Sequence, residues 1–400
     1  MTTPPRRIAL VSAFPPGQRS LNEYGLHFAR ALAAHPDAAE VIVLADRLSE
    51  PMPELDLGPR IRVRRVWAFN SAATPLHLLR ALWTERPDGV IWNLQTASFG
   101  DREIPAALGL VAPAMARLAG WRSGIIAHNI VAGIDLEATT LKGKPLRQAL
   151  VRMGGAAVTR AMCAASYMTV TLRSYADILA RQVPRADVSL VPHGTFDTGT
   201  RPWVAQSDRP LRIVTMGKFG TYKRLETLLA AFDLLRNSPD LPALELVIGG
   251  TDHPATPGYM AGLARARERD PGVTFAGYLA EEDVPGFFEC GRLAVFDYTA
   301  TTGSSGVLHQ SASLGAVPVF PRIGDFVDLC EDEGLTGGHF TPGDAEALAQ
   351  VMHDLLTDSD AADRIALANR RAVDAIPMSE IAAWHVAKLL DAPGTLPSFA

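Results

Sequence analysis

The sequence predicts an α/β protein of two doubly wound domains, and three observations carry that prediction. Short apolar runs alternate with amphipathic runs from residue 8 to residue 191, the pattern breaks over Thr198–Pro210, and the alternation restarts at Leu211. Such alternation argues for parallel sheets covered by helices on both faces. The break, TGTRPWVAQSDRP, is polar, contains proline and has no period, as a linker should. The domains are expected over 1–200 and 208–377, with a tail over 378–400.

The first domain reads in order. Ile8–Val11 is a strand. Leu21–Ala34 is an amphipathic helix with Leu21, Leu26, Phe28, Ala29 and Leu32 on its apolar face. Val41–Leu44 is a strand, and Ile61–Val66 alternates with period two. Leu76–Trp83, just after Pro75, is helical, and Gly89–Trp92 is a strand. Helix Pro105–Ala119, strand Ser123–Ala127 and helix Pro145–Ala164 follow. Strand Met168–Leu172, helix Tyr175–Arg181 and strand Val188–Val191 close the domain. In the second domain, strands are expected at Leu211–Met216, Leu244–Ile248, Val273–Phe275, Leu293–Phe296 and Val317–Phe320, with helices between them. The tail helix, Ser379–Leu390, needs a partner for Ile381, Trp384, Val386, Leu389 and Leu390; either domain could supply it.

Bulk properties narrow the function. With 48% hydrophobic and 20% charged residues over 400 positions, the chain can bury large cores. A net charge of −5 supplies no global basic field, so no nucleic-acid partner is expected. Cys163, Cys290 and Cys330 are scattered and form no CxxC pair, which fits a reducing compartment. The N-terminal apolar run is too short for a signal peptide. The run Ile104–Gly120 is interrupted by Pro105, Pro113 and Arg117 and is too short to span a bilayer. A cytoplasmic location is expected, with peripheral membrane contact left open. The helix Lys142–Met162 carries Lys142, Lys144, Arg147, Arg152 and Arg160, either as a solvated face or as a face for anionic lipid.

In doubly wound sheets, ligands bind at the carboxyl ends of the strands, and two such sheets facing each other make a cleft. Candidate residues cluster at those strand ends. The stretch Tyr298–Phe320, YTATTGSSGVLHQSASLGAVPVF, joins a strand to a Ser/Gly loop and then to a helix over Ser305–Leu314. Such a helix start offers unpaired amides to an anion, with Ser304 as expected N-cap and Gly303 and Gly306 allowing close approach; an ordinary turn is the alternative. In TMGKFGTYKRLETLL, Gly217 turns the chain, Lys218 emerges at the strand's end and Lys223 starts the next helix, with Arg224 beside it. Cations at a helix start oppose the dipole, which favours a phosphate partner over a solvated pair. Gly249-Gly250 and Gly277 make further turns at the same edge. His128 follows strand Ser123–Ala127 and is placed to meet a sugar hydroxyl or a developing charge, or to cap backbone. The first βα turn, FPPGQRSLNEYG, has no GxGxxG, so nicotinamide and flavin find no support. Asp358-Ser-Asp360 and Glu331-Asp-Glu333 sit in no credible metal site, and no metal is expected.

Together these pieces resemble the retaining glycosyltransferases of the GT-B fold, most closely glycosyltransferase family four (glycosyl transferases group 1). The resemblance covers nearly the whole chain. It rests on the FPP loop, AHN at 127–129, VPHGTFD at 191–197, GKFGTYKR at 217–224, SLGAVPVF at 313–320 and the tail helix with Trp384. Lys218 stands where the family usually has arginine, and Lys223 keeps its lysine. Where the family has two glutamates separated by seven residues, this chain has Thr302 and Gln310.

The resemblance implies two Rossmann-like domains facing across a cleft, with the tail helix crossing back to the first. It implies transfer of a sugar from a nucleoside diphosphate sugar to a hydroxyl acceptor, with retention and without metal or cofactor; the nucleotide sugar is a co-substrate. The acceptor would be a saccharide, a lipid-linked sugar or a small molecule. His128, Lys218 and Lys223 would be catalytic. Gly217, Arg224, Gly249, Tyr278, Thr302, Gly303, Ser304, Ser305, Gly306, Val307 and Gln310 would line the donor site, with Gln310 on the ribose. Gln18, Arg19, Asn22, Glu23, Tyr24, Asn93, Gln95 and Asn129 would lie on the acceptor side. Two rival readings are a non-catalytic nucleotide-sugar-binding paralogue and a sugar-nucleotide epimerase on the same fold.

Overall fold

The computed structural model describes residues 6–131, 145–199, 201–301 and 303–390. Thr302, Lys142, Lys144 and the tail beyond 390 therefore lie outside the described residues, as does the side chain of Arg147. Two compact units divide the chain: Met1–Asp197 with Ile376–Ser398, and Thr198–Ala375.

The first unit alternates β1 (Arg6–Ser12), α1 (Asn22–Ala34), β2 (Ala38–Asp46), β3 (Ile61–Trp67), α2 (Thr74–Glu85), β4 (Gly89–Leu94), α3 (Glu103–Leu118), β5 (Arg122–Ala127), α4 (Pro145–Met162), β6 (Tyr167–Val170), α5 (Arg173–Gln182) and β7 (Val188–Leu190). Its seven strands form a parallel sheet in the order β3-β2-β1-β4-β5-β6-β7. The central strands are apolar on both faces, as β1 (RRIALVS) and β4 (GVIWNL) show, because helices cover both sides. At the edge, β3 carries Arg62 and Arg64, which pair with Glu85, and Arg62 also reaches Glu40 at 2.9 Å. Charge there blunts an exposed edge.

The second unit holds β8 (Arg212–Phe219), α6 (Glu226–Leu235), β9 (Glu245–Asp252), α7 (Tyr259–Ala266), β10 (Val273–Gly277), α8 (Val284–Glu289), β11 (Leu293–Val295), α9 (Gly306–Ser313), β12 (Val317–Pro321), α10 (Gly324–Glu333), β13 (Gly338–Phe340), α11 (Ala345–Thr357) and α12 (Ser359–Asp374). The sheet order is β10-β9-β8-β11-β12-β13, again parallel. Two points differ from expectation. β8 runs three residues past Met216, because Gly217, Lys218 and Phe219 keep their register with Gly250, Thr251 and Asp252. β13 was not expected at all; GHF is too short to show a period, and only its pairing with β12 makes it a strand.

The last helix, α13 (Met378–Leu389), belongs to the first unit. Met378, Ile381, Trp384 and Leu389 share a core with Leu26, Phe28, Ile91 and Tyr167. The chain is pinned on entry: the Thr195 amide donates to Ile376 O at 2.8 Å and the Met378 amide to Thr195 O at 3.0 Å. Trp384 packs edge-on against Tyr167, with centroids 5.8 Å apart. Trp384→Ala should destabilise the first unit by about 3–5 kcal/mol, the usual cost of emptying a large aromatic site. Urea unfolding followed by circular dichroism checks this, and an unchanged midpoint would remove the helix from the unit's core.

Candidate active site

Each sheet reverses its strand order once: between β1 and β4 in the first unit, and between β8 and β11 in the second. Crossovers leave on opposite faces at such a point, so the loops part and a ligand can enter.

In the second unit, the loop after β8 is stitched to the loop after β11. Lys223 and Tyr298 form an antiparallel bridge, the Thr299 amide donates to Tyr222 O at 2.8 Å, and the Arg224 amide donates to Asp297 O at 2.8 Å. This puts the Lys223 amine 4.7 Å from the Tyr298 ring centroid and beside Gly217, where a Cβ would lie 3.8 Å from Nζ. Lys223 makes no ion pair among the described residues. Burial opposes its charge, but the Tyr298 and Tyr222 hydroxyls favour it and set a net upward shift, so the amine stays protonated. Gly250 has φ 127°, and a Cβ there would sit 1.9 Å from Gly217 O; only glycine lets β9 approach β8 at this edge.

Two expectations need correction here. Lys223 does not start a helix. α6 begins at Glu226, and its first amides are already served by the Asp297 carboxylate, which accepts from Thr227 at 2.9 Å and Leu228 at 3.2 Å. Lys218 likewise sits within β8 rather than after a turn at Gly217. The lysine pair thus belongs to the strand edge, not to a helix start. His253, just past β9, joins them. Its Nδ1 accepts from the Ala255 amide at 3.1 Å, so Nε2 carries the proton. Burial, then the charges of Lys218 and Lys223, lower its pKa.

The Ser/Gly loop opens α9 as expected, with the N-cap one residue later. Ser305, not Ser304, is the cap, and its Oγ accepts from the Leu308 amide at 3.3 Å. The Gly303 amide does not face open space; it donates to Asp325 Oδ2, while the Asp325 amide donates to Thr301 Oγ1 at 2.8 Å. Helix geometry leaves Gly306 and Val307 as first-turn amides without an intrahelical acceptor. The Ser304 hydroxyl is buried with no partner among the described residues. Gln310 is only 5% exposed. At the neighbouring edge, a Cβ on Gly249 would meet Leu279 at 2.5 Å, and Tyr278 is half exposed. Arg224 is exposed, its Nε donating to Thr221 O at 3.2 Å.

Beneath this loop lies a buried pair that sequence reasoning missed. His309 Nε2 is 2.6 Å from Glu333 Oε2, and His309 Nδ1 is 2.8 Å from Ser305 O. A carbonyl and a carboxylate both need donors, so the ring carries both protons. Burial opposes that charge; Glu333 and Ser305 outweigh it and raise the His309 pKa above the ordinary 6.5.

In the first unit, the edge of β1, β4 and β5 gathers Tyr24, Asn93 and His128. Asn93 Nδ2 donates to Ser12 Oγ at 2.9 Å and Leu21 O at 3.3 Å, so its Oδ1 is left to accept from His128 Nε2 at 2.7 Å. That fixes the His128 tautomer, with the Nδ1 lone pair available as an acceptor. Burial pushes the His128 pKa down to about 3, so the ring is neutral. Tyr24 packs edge-on to it at 4.4 Å, and the Tyr24 hydroxyl is buried without a partner among the described residues. The edge is tight: a Cβ on Gly25 would lie 2.4 Å from Ser12 Oγ.

The other acceptor-side candidates hold the surrounding loops. Arg19 pairs with Asp46 at 3.3 Å and stacks 3.9 Å over Phe69. Asn22 Nδ2 donates to Gly17 O at 2.6 Å, and Asn129 Oδ1 accepts from the Thr96 amide at 2.8 Å. The Gln95 amide donates to Ser98 Oγ at 2.8 Å. Gln18 is exposed in the loop and Glu23 lies half-buried in the first turn of α1. Among the described residues, no three His, Cys, Asp or Glu side chains are grouped to hold a metal ion.

This architecture is shared with solved structures. Sucrose-phosphate synthase from Thermosynechococcus elongatus superposes with a TM-score of 0.73 at 18% identity, covering 96% of this chain and 98% of that one. Anabaena HepE, solved with UDP and glucose, gives 0.67 at 16% identity over 97% and 99%. The UDP-forming α,α-trehalose-phosphate synthase of Burkholderia xenovorans, solved with glucose-6-phosphate, gives 0.67 at 10% identity over 96% and 100%. Among curated proteins, no sequence match was found. The fold is GT-B, and the class is that of a glycosyltransferase. Residues 210–358, the greater part of the second unit, match the family described as Glycosyl transferases group 1.

The His309–Glu333 pair makes a testable contribution to stability. A raised folded-state pKa means that His309 stabilises fully below about pH 6.5, and that this is lost as pH rises through the folded value. Glu333→Gln should cost about 3–5 kcal/mol at acid pH by leaving a buried charge unpaired. The gap to wild type should narrow as pH rises in urea titrations; a gap independent of pH would refute a charged His309.

Proposed function

We propose that the chain transfers a sugar from a nucleoside diphosphate sugar to a hydroxyl acceptor, with retention and without a metal. The observation that carries this is Lys223. A protonated amine without a carboxylate partner is held at the β8/β11 reversal, and it and Lys218 both act on the His253 ring. When the bond from the sugar's anomeric carbon to the phosphate oxygen breaks, negative charge grows on the leaving diphosphate. Two fixed cations lower that barrier without first having to reorganise. The Gly306 and Val307 amides add donors for a phosphate or sugar oxygen. HepE structures with UDP or UDP-glucose bound support uridine diphosphate as the nucleotide.

On the first unit, we assign His128 Nδ1 as acceptor for a sugar hydroxyl. Its neutrality suits that role, because an imidazolium would have no lone pair to offer. The acceptor substrate would lie against the Tyr24–Asn93 edge, and a saccharide hydroxyl matches the neutral hydrogen-bonding groups there. The non-catalytic reading keeps one observation in its favour: Gln310, at a family glutamate position, is almost wholly buried. The epimerase reading asks for acid and base side chains at the sugar. The described loop residues Thr299–Thr301 and Gly303–Gly306 offer none.

Lys218→Ala and Lys223→Ala should each lower turnover by about 10²–10³, the usual cost of one such electrostatic contact. UDP release with labelled donor and acceptor measures this; near-wild-type turnover in both would sink the diphosphate assignment. Asn93→Ala frees the His128 tautomer and should raise KM while leaving the acid side of the pH profile unchanged, since His128 titrates only near pH 3. A new limb near neutrality in wild type, lost in His128→Ala, would contradict a neutral ring. Turnover should survive EDTA.

A further inference from the structure

Helix α3 is apolar on both of its faces. It buries Leu110, Ala112, Pro113 and Ala116, yet its outer side carries Ile104, Leu108, Val111, Met115 and Leu118. Those five recur at i, i+4, i+7, i+11 and i+14, the spacing of one helical stripe. Ile104 is 71% exposed and Leu118 88%. α3 packs between α2 and α4, which add Leu76 and Trp83 on one side and Met153, 70% exposed, on the other. An outer helix of a globular unit keeps this side polar. A contiguous exposed apolar face marks a contact surface.

The charges around the stripe say what it meets. Arg80 on α2 and Arg152 and Arg160 on α4 are exposed and make no ion pair among the described residues. α4 contains no acidic residue over its whole length. Glu85 of α2 is buried and occupied by Arg62 and Arg64, Glu103 lies in the first turn of α3, and Asp101 precedes that helix. A chain of net charge −5 thus presents a locally basic, apolar face.

We infer that the α2–α3–α4 face docks on an anionic lipid bilayer, its apolar stripe in the interfacial layer and its arginines on lipid phosphates. A second copy fits less well, because a two-fold contact would set the same unpaired arginines against each other. The contact is peripheral: no described helix is long and apolar enough to cross a membrane.

Flotation of the full chain with vesicles tests this. It should float with phosphatidylcholine–phosphatidylglycerol vesicles, stay down with phosphatidylcholine alone, and bind less as salt rises. Combined Arg80→Ala, Arg152→Ala and Arg160→Ala should lower the partition coefficient about a hundredfold, at roughly fivefold per charge. Ile104→Ser with Leu118→Ser should abolish flotation with the unfolding midpoint unchanged, since both side chains are already exposed. No flotation with either vesicle, or flotation that both sets of variants leave unchanged, would overturn the inference. A dimer in sedimentation velocity that the serine variant dissolves would overturn it too, giving the face to a second copy.

Discussion

β8 sends its chain toward β9 while its neighbour β11 sends its own toward β12, so two adjacent parallel strands part company at their carboxyl ends. Right-handed crossovers then place α6 and α9 on opposite faces, and neither helix can close the gap. Everything assigned to the donor side follows from how the chain bridges that gap. Lys223 spans it by pairing with Tyr298, and Asp297 plugs the start of α6. Asp325 ties down the Ser/Gly loop through the Gly303 amide. With Asp297 and Asp325 committed to backbone amides, Lys223 keeps its charge without a carboxylate partner among the described residues.

The first unit uses the same reversal at β1 and β4 with different chemistry. Its edge holds no lysine pair but a neutral, fixed chain from Ser12 through Asn93 to His128. Burial opposes charge on a buried histidine in each unit, with different outcomes. It strips the charge from His128, which has no charged partner, and fails to do so for His309, which has Glu333. A buried imidazole is thus neutral in one unit and a cation in the other.

Much of the architecture was legible because it is local. Period and length placed the first seven strands, and the break in the alternation pointed to a two-domain α/β fold. The residues of α13 left its partner open, since its apolar face suits either unit, and the expectation that it crosses back to the first came from the resemblance alone; the Thr195–Pro377 bridge ties its start to the first unit. Lys218 and His128 could be singled out from strand-end positions, and Lys223 from an expected helix start. Asp297, Asp325, His253 and Glu333 could not: each acts across the fold, as Asp297 does on amides about seventy residues away. The same limit explains the misplacement of Lys223. A lysine before a helical pattern reads as a helix start, and only the bridge to Tyr298 moves it to the strand edge.

A thermal-shift comparison of uridine, UMP and UDP tests most directly whether the second unit holds a diphosphate at the lysine pair. UDP at a hundredfold excess over its Kd should stabilise the chain by about 2.7 kcal/mol. Uridine and UMP at the same concentration should give a small fraction of that, because they offer no diphosphate to the two lysines. Equal shifts for all three, or none for UDP, would contradict the account.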